Sequence, residues 1–163
     1  MMLTHRAMAL IAFAVLATPG PALSHETVAG ALFIDHPIAR ETPSAKTPGG
    51  AYMTIRNNGD KPDRLVAART PAAGRVEFHQ SIIDGDIVRM RPLPAIDLPP
   101  AGSVALQPGK GMHLMLMDLA ERLKRGDSFP MTLTFERGGD VEITIRVTAI
   151  TGAAGGHHQP DTQ

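Results

Sequence analysis

The chain has no cysteine and no tryptophan, and only one tyrosine and five phenylalanines among its 163 residues. Without a thiol there can be no disulfide scaffold, zinc ribbon, thiol redox centre or blue-copper site. A lipid-anchored N-terminal cysteine is excluded as well. An excess of charge is also missing, because sixteen Lys and Arg balance sixteen Asp and Glu. Such a chain gives no reason to expect a nucleic-acid or membrane-surface binder. At 43% apolar and 20% charged it has a globular composition, and its length suits one domain with a small appendage. What it does have is nine methionines and seven histidines. In a chain without cysteine these are the only soft or borderline metal ligands.

Residues Met1–Ser24 read as an export signal. His5 and Arg6 form a short polar start, Ala7–Leu16 is an apolar run of ten, and Thr18-Pro19-Gly20-Pro21 ends it. Ala22-Leu23-Ser24 then supplies small residues before a cleavage site. Ten apolar residues are too few for a bilayer core that needs about 20, so stable membrane insertion is not expected. Cleavage after Ser24 makes His25 the new N-terminus; cleavage after Ala22 is the alternative. Loss of Arg6 takes the balanced chain to a net charge of −1. The periplasm is the compartment that fits best.

The remainder reads as all-β, with one β-domain expected over 25–151 and a flexible, Gly-rich tail over 152–163. Strands are expected at Ala29–Asp35, Gly50–Asn57, Arg64–Arg69, Arg75–Ile82, Asp86–Arg91, Ser103–Gln107, Met112–Asp118, Ser128–Glu136 and Asp140–Ala149. Met131, Leu133 and Phe135 alternate with threonines. Val141, Ile143, Ile145 and Val147 alternate with polar residues, and Gly138-Gly139 lies between the two runs as a hairpin signal. Prolines at 92, 94, 99, 100 and 108 keep the middle out of helix. Ala120–Arg125 is the single helical candidate. Many short strands with frequent turns point to a Greek-key β-sandwich or barrel.

Two strand segments place His and Met together. Asp84-Gly85 is a favoured two-residue loop, and a hairpin closed there pairs His79 with Met90. In Met112–Met117, alternation puts His113, Met115 and Met117 on one face, turned towards an edge or solvent. Leu114 and Leu116 then lie on the other face, as core. A single Met is more often a core gap filler than a ligand, but two separate His–Met clusters are more than coincidence supplies. Thioether is soft and neutral, a poor ligand for Mg²⁺, Ca²⁺ or Zn²⁺ and a good one for Cu(I). No Asp or Glu on the same faces suggests a hard metal. The histidine half of such a site weakens as pH falls through about 6.5.

These segments resemble the PCuAC-type periplasmic copper chaperones, also called the DUF461 family. The family pattern is a His, about ten residues, a Met, about twenty-one residues, then His-x-Met. Here ten residues separate His79 from Met90, and twenty-two separate Met90 from His113-Leu114-Met115. Gly50-Ala-Tyr-Met-Thr-Ile-Arg-Asn57, Val76-Glu-Phe-His79, Met90-Arg-Pro92, Pro108-Gly109 and Met131-Thr-Leu-Thr-Phe135 are also similar, so that the likeness covers roughly 28–149. It implies a cupredoxin-like barrel. It also implies Cu(I) held by His79, Met90, His113 and Met115, and delivery to the copper A centre of cytochrome c oxidase. The oxidase subunit bearing that centre and thiol-bearing copper chaperones are the implied partners. Two departures stand out. The second spacing is one residue longer, with Lys110-Gly111 as the insertion, and Gln80 and Ser81 occupy positions where many relatives carry a further Met. Met117 and Met112 are the available spares.

Outside this cluster, His157 and His158 in the tail, and His25 through its free amine and imidazole, are candidates for Cu(II) at a secondary site. They support an alternative function, periplasmic copper storage or resistance. His36, before Pro37, reads as a strand-end residue, and Asp35, Arg40 and Tyr52 as structural. No catalytic constellation is visible. Ser81 near His79 lacks an orienting acid and an elbow, and a histidine-brace oxidase built on His25 would need a second well-placed His. The chain is therefore not expected to be an enzyme.

Overall fold

Residues 26–84, 87–109 and 111–149 are described in a computed structural model. Residues 1–25, with the signal segment and His25, and 150–163, with His157 and His158, lie outside the described residues. Eleven strands follow one another in the described chain: β1 (Glu26–Ala29), β2 (Leu32–Arg40), β3 (Gly49–Asn57), β4 (Asp63–Arg69), β5 (Ala73–Asp84), β6 (Ile87–Leu93), β7 (Ile96–Leu98), β8 (Gly102–Leu106), β9 (Gly111–Leu119), β10 (Ser128–Phe135) and β11 (Gly139–Thr148). They hydrogen-bond in the order β6-β5-β9-β8-β3-β2-β11-β10-β4-β7, with β1 on β2. Most pairs are antiparallel; β11 with β2 and β8 with β9 are parallel.

Period-2 patterning sets which face is buried. Phe129, Met131, Leu133 and Phe135 of β10 point inward, as do Val141, Ile143, Ile145 and Val147 of β11. Ile34, Ile55, Leu65, Leu98, Leu114 and Leu116 complete the same core. The β10–β11 connection runs over residues 136–138, with Phe135 paired to Gly139, whose φ is +71°. Buried Asp63 ties this loop to β4. Its carboxylate accepts from the backbone N–H of Arg137 and Gly138, both at 2.9 Å, and of Arg64 at 2.8 Å. A Cβ at Gly138 would lie 2.6 Å from the Cδ1 end of Leu32, so a larger residue there would have to push that side chain aside.

Several expectations are corrected. The run at Ala29–Asp35 is two strands, β1 and β2, which pair across a turn at 30–31. Ile96–Leu98 forms an additional strand. Ala120–Arg125 is irregular rather than helical. Leu123 is buried there and bonds Thr42 twice, its N–H donating to Oγ1 at 3.0 Å and its C=O accepting from the Thr42 N–H at 2.9 Å. His36 sits inside β2, not at its end. It has φ +50° where the β2–β3 register shifts between Asp35 and Ile38, a bulge beside a proline that cannot donate to the ladder.

Candidate metal centre

The site lies where β9 is sandwiched between β5 and β3. In the antiparallel β5–β9 ladder His79 stands directly opposite His113, Glu77 opposite Met115, Arg75 opposite Met117, and Ser81 opposite Gly111. On the far side of β9, Gly50 of β3 faces Met115. Alternation then gathers His79, His113 and Met115 on one face, while Leu114 and Leu116 turn into the core. The imidazole rings of His79 and His113 lie 6.0 Å apart, tilted by 48°.

Met90 arrives by a different register from the one the hairpin signal suggests. Asp84 pairs with Ile87 and Ser81 with Met90, while His79 faces Pro92. The direct His79–Met90 pair is therefore not formed. Each strand is displaced by one residue, which leaves parity unchanged. Met90 stays on the face of His79 as its diagonal neighbour, at a typical spacing of about 7–8 Å. The residues between the two strands, 85 and 86, lie outside the described residues.

Met90, His113 and Met115 line a cavity of about 170 Å³ with Pro48, Gly50, Tyr52, Ser81 and Gly109. His79 adjoins it through His113. The ligand candidates differ sharply in access. Met90 is 57% exposed, the His79 side chain 16% and His113 only 5%. The expectation that His113 faces an edge or solvent is thus corrected, because other side chains cover it. Tyr52 is one of them, with its ring centroid 6.5 Å from that of His113. The phenol folds back over Gly50, where a Cβ would lie 2.8 Å from its Cζ. Arg40 stacks on the same ring at 5.7 Å, and burial pushes the Tyr52 hydroxyl pKa up.

Burial pushes the His113 imidazole pKa down. Contact with the Gly111 backbone opposes this, and the neighbouring His79 adds to it. A neutral ring, the form that ligates metal, is thereby favoured. His79 has a different setting. Its Nε2 lies 2.9 Å from Glu77 Oε2, and its Nδ1 is buried without a hydrogen-bond partner. Leaving such an atom unsatisfied costs about 1–3 kcal/mol. Glu77 is also bonded by Arg75 Nε at 2.8 Å, and Arg75 contacts Asp118 as well. The Arg75 bond, followed by that to His79, holds the Glu77 carboxyl below the usual carboxylate range.

Reading the sequence assigned no site role to Glu77 and took Tyr52 only as a structural residue. Glu77 was available as the residue two before His79 on one strand. Tyr52 depends on the β3–β9 pairing, which no local pattern announces. Of the spare methionines, Met112 packs against the core. Met117 shares the ligand face but stands opposite Arg75, one pair beyond Met115, and does not line the cavity. Gly111 opens β9, while Lys110 lies outside the described residues. Among the described residues no three His, Asp or Glu side chains gather as a metal-binding group.

Comparison with known proteins agrees with this architecture. The family described as "Putative lipoprotein LpqE-like" matches residues 32–147. A protein of Leifsonia xyli subsp. xyli (strain CTCB07), named "Putative lipoprotein Lxx21020", is 30% identical over 104 residues. The match spans 63% of this chain and 62% of that protein. The copper-bound PCuAC domain from PmoF2 is 34% identical with a TM-score of 0.66, covering 77% of this chain and 98% of that one. The solution structure of CuI-DR1885 from Deinococcus radiodurans is 30% identical with a TM-score of 0.55, covering 71% and 78%. The word lipoprotein describes those relatives; the 163 residues here hold no cysteine to carry a lipid. This chain belongs to the LpqE-like family and has the cupredoxin-like β-fold of the PCuAC domains.

Proposed function

We propose that the chain is an extracytoplasmic copper chaperone that carries Cu(I) on His79, Met90, His113 and Met115. The observation that carries this reading is the cross-strand gathering of two imidazoles and two thioethers on one face, three of them lining one cavity and the Met90 thioether exposed. The donor set is neutral and half soft, which suits a monovalent soft ion. The likeness to copper-bound PCuAC domains supports it. Copper is cargo here and no reaction is assigned to the protein. Graded exposure suits transfer. An incoming thiolate meets Met90 first and displaces thioethers stepwise, while His113 stays covered. The finer reading places the protein in the periplasm, with the copper A centre of cytochrome c oxidase as recipient.

Anaerobic Cu(I) titration against a chromophoric competitor tests the ligand set. One tight equivalent is expected, lost in Met90→Leu/Met115→Leu. Tight binding unchanged in the double variant would overturn the assignment and turn attention to His25, His157 and His158. Mixing the loaded protein with a soluble copper A domain then tests the recipient. Failure to populate that domain with copper would leave a carrier with another destination.

A further inference from the structure

We propose that His79 presents Nδ1, not Nε2, to the ion, and that Glu77 is the positioning residue that fixes this choice. The inference rests on the Cu(I) reading above and names which atom of the site serves it.

A neutral imidazole has one N–H and one lone pair, and its hydrogen bonds decide which nitrogen has which. Glu77 forms an ion pair with Arg75, whose Nε–H donates to Oε1 at 2.8 Å, so the Oε2 that faces His79 is an acceptor. The proton between Glu77 and His79 therefore sits on Nε2, 2.9 Å away. Nδ1 is left with the lone pair, and it is the nitrogen that is buried and has no partner. A carboxylate on the far nitrogen of a ligating histidine both sets the tautomer and raises ligand basicity. The relay runs Asp118–Arg75–Glu77–His79, and its acidic end is solvated. His113 has no carboxylate partner among the described contacts and is shaped by burial instead. The two histidines are thus prepared by different means.

Glu77→Gln gives a sharp test, since it changes one atom and a charge. Arg75 Nε needs an acceptor, so the carboxamide oxygen turns to Arg75 and its NH₂ turns to His79. Nε2 must then accept, and the proton moves to Nδ1. Long-range ¹H–¹⁵N correlation spectra of the metal-free full chain, above the ordinary imidazole pKa of about 6.5, read the tautomer directly and without copper. The wild type is expected to show Nε2–H at His79, and Glu77→Gln is expected to show Nδ1–H. Adding one equivalent of Cu(I) anaerobically should shift wild-type Nδ1 while Nε2 keeps its proton. Glu77→Gln should lose about 10- to 100-fold in Cu(I) affinity with an unchanged circular dichroism spectrum. An Nδ1–H tautomer in the metal-free wild type overturns the assignment. So does a Cu(I)-induced shift at Nε2 with loss of its proton. No shift at either nitrogen, with the Nε2–H tautomer already seen, overturns it through the Cu(I) reading and leaves Glu77's control of the tautomer standing.

Discussion

The hairpin of β10 and β11 and the hairpin of β5 and β6 obey the same local rules and end in opposite surroundings. Along β10 and β11 every second residue is apolar and buried, with threonines and charges outside. Along β6 every described residue from Ile87 to Pro92 is exposed, including Ile87, Val88 and Met90 at over half of their surface. The difference comes from neighbours. β11 lies between β10 and β2, and β10 between β11 and β4. β6 is the last strand of its sheet and has β5 alone beside it. One hairpin is core; the other is a rim that holds a thioether out to solvent. An edge strand with exposed apolar groups is a liability that proteins usually suppress, and here it lies next to the proposed ligand face.

The largest expected effect that sharpens this contrast is in the core hairpin. Leu133→Ala removes a fully buried side chain of β10 and should cost about 2–5 kcal/mol. Urea denaturation should show a lower midpoint with an unchanged slope. A loss under 1 kcal/mol would mean that this hairpin is not the stabilising half.

A smaller effect is expected from pH, and it originates at the site. The His113 pKa lies below its ordinary value of 6.5 because the ring is buried. As pH falls through 6.5 the unfolded chain takes up its proton first. The contribution of neutral His113 to stability is therefore present above pH 6.5 and is lost as pH falls towards the lowered folded value. Urea midpoints measured at stepped pH should decline over that window. The decline should shrink in His113→Gln, which cannot titrate. An equal decline in both proteins would assign it to other groups.

Gly50→Ala should act more gently still. The new methyl group competes with the Tyr52 phenol for one place, and the ring can swing away because it is a side chain. The fold is expected to survive. His113 should lose cover, and its imidazole should titrate closer to 6.5 in an NMR pH series. An unmoved titration would show that Tyr52 is not what keeps His113 dry.

The core half of the molecule was legible because alternation is local. Met131 to Phe135 and Val141 to Val147 announce both their strands and their buried faces in their own residues. That the proposed ligands share a face was legible for the same reason, since His113 and Met115 are two apart and an even register change keeps Met90 on the face of His79. What could not be read was who sits next to whom across the sheet. The direct cross-strand pair of the site, His79 with His113, spans β5 and β9, and the cover from Tyr52 comes through β3. The His79–Met90 pairing failed because the local loop signal placed the turn one residue too early. Glu77 was missed for a different reason: acids were weighed only as hard-metal ligands, and this one instead hydrogen-bonds His79.

The smallest effect is expected at the tip of the exposed hairpin, and it decides what that tip is for. Ile83 and Val88 pair directly across β5 and β6, on the face of Met90. Each keeps more than half of its surface in water. Replacing both with threonine preserves β-branching and strand propensity while removing apolar surface. Little burial is lost, so stability should move by no more than about 0.5 kcal/mol per site. Cu(I) affinity in the competitor titration should also stay level, because neither side chain is a ligand. If the rim is only a tolerated edge, the rate of copper passage to an acceptor should be unchanged too. If it is the surface on which the acceptor seats, that rate should fall while affinity and stability hold. Stopped-flow transfer to the copper A domain separates these outcomes. A rate that stays level would reduce the contrast between the hairpins to one of burial, and a fall would make it one of function.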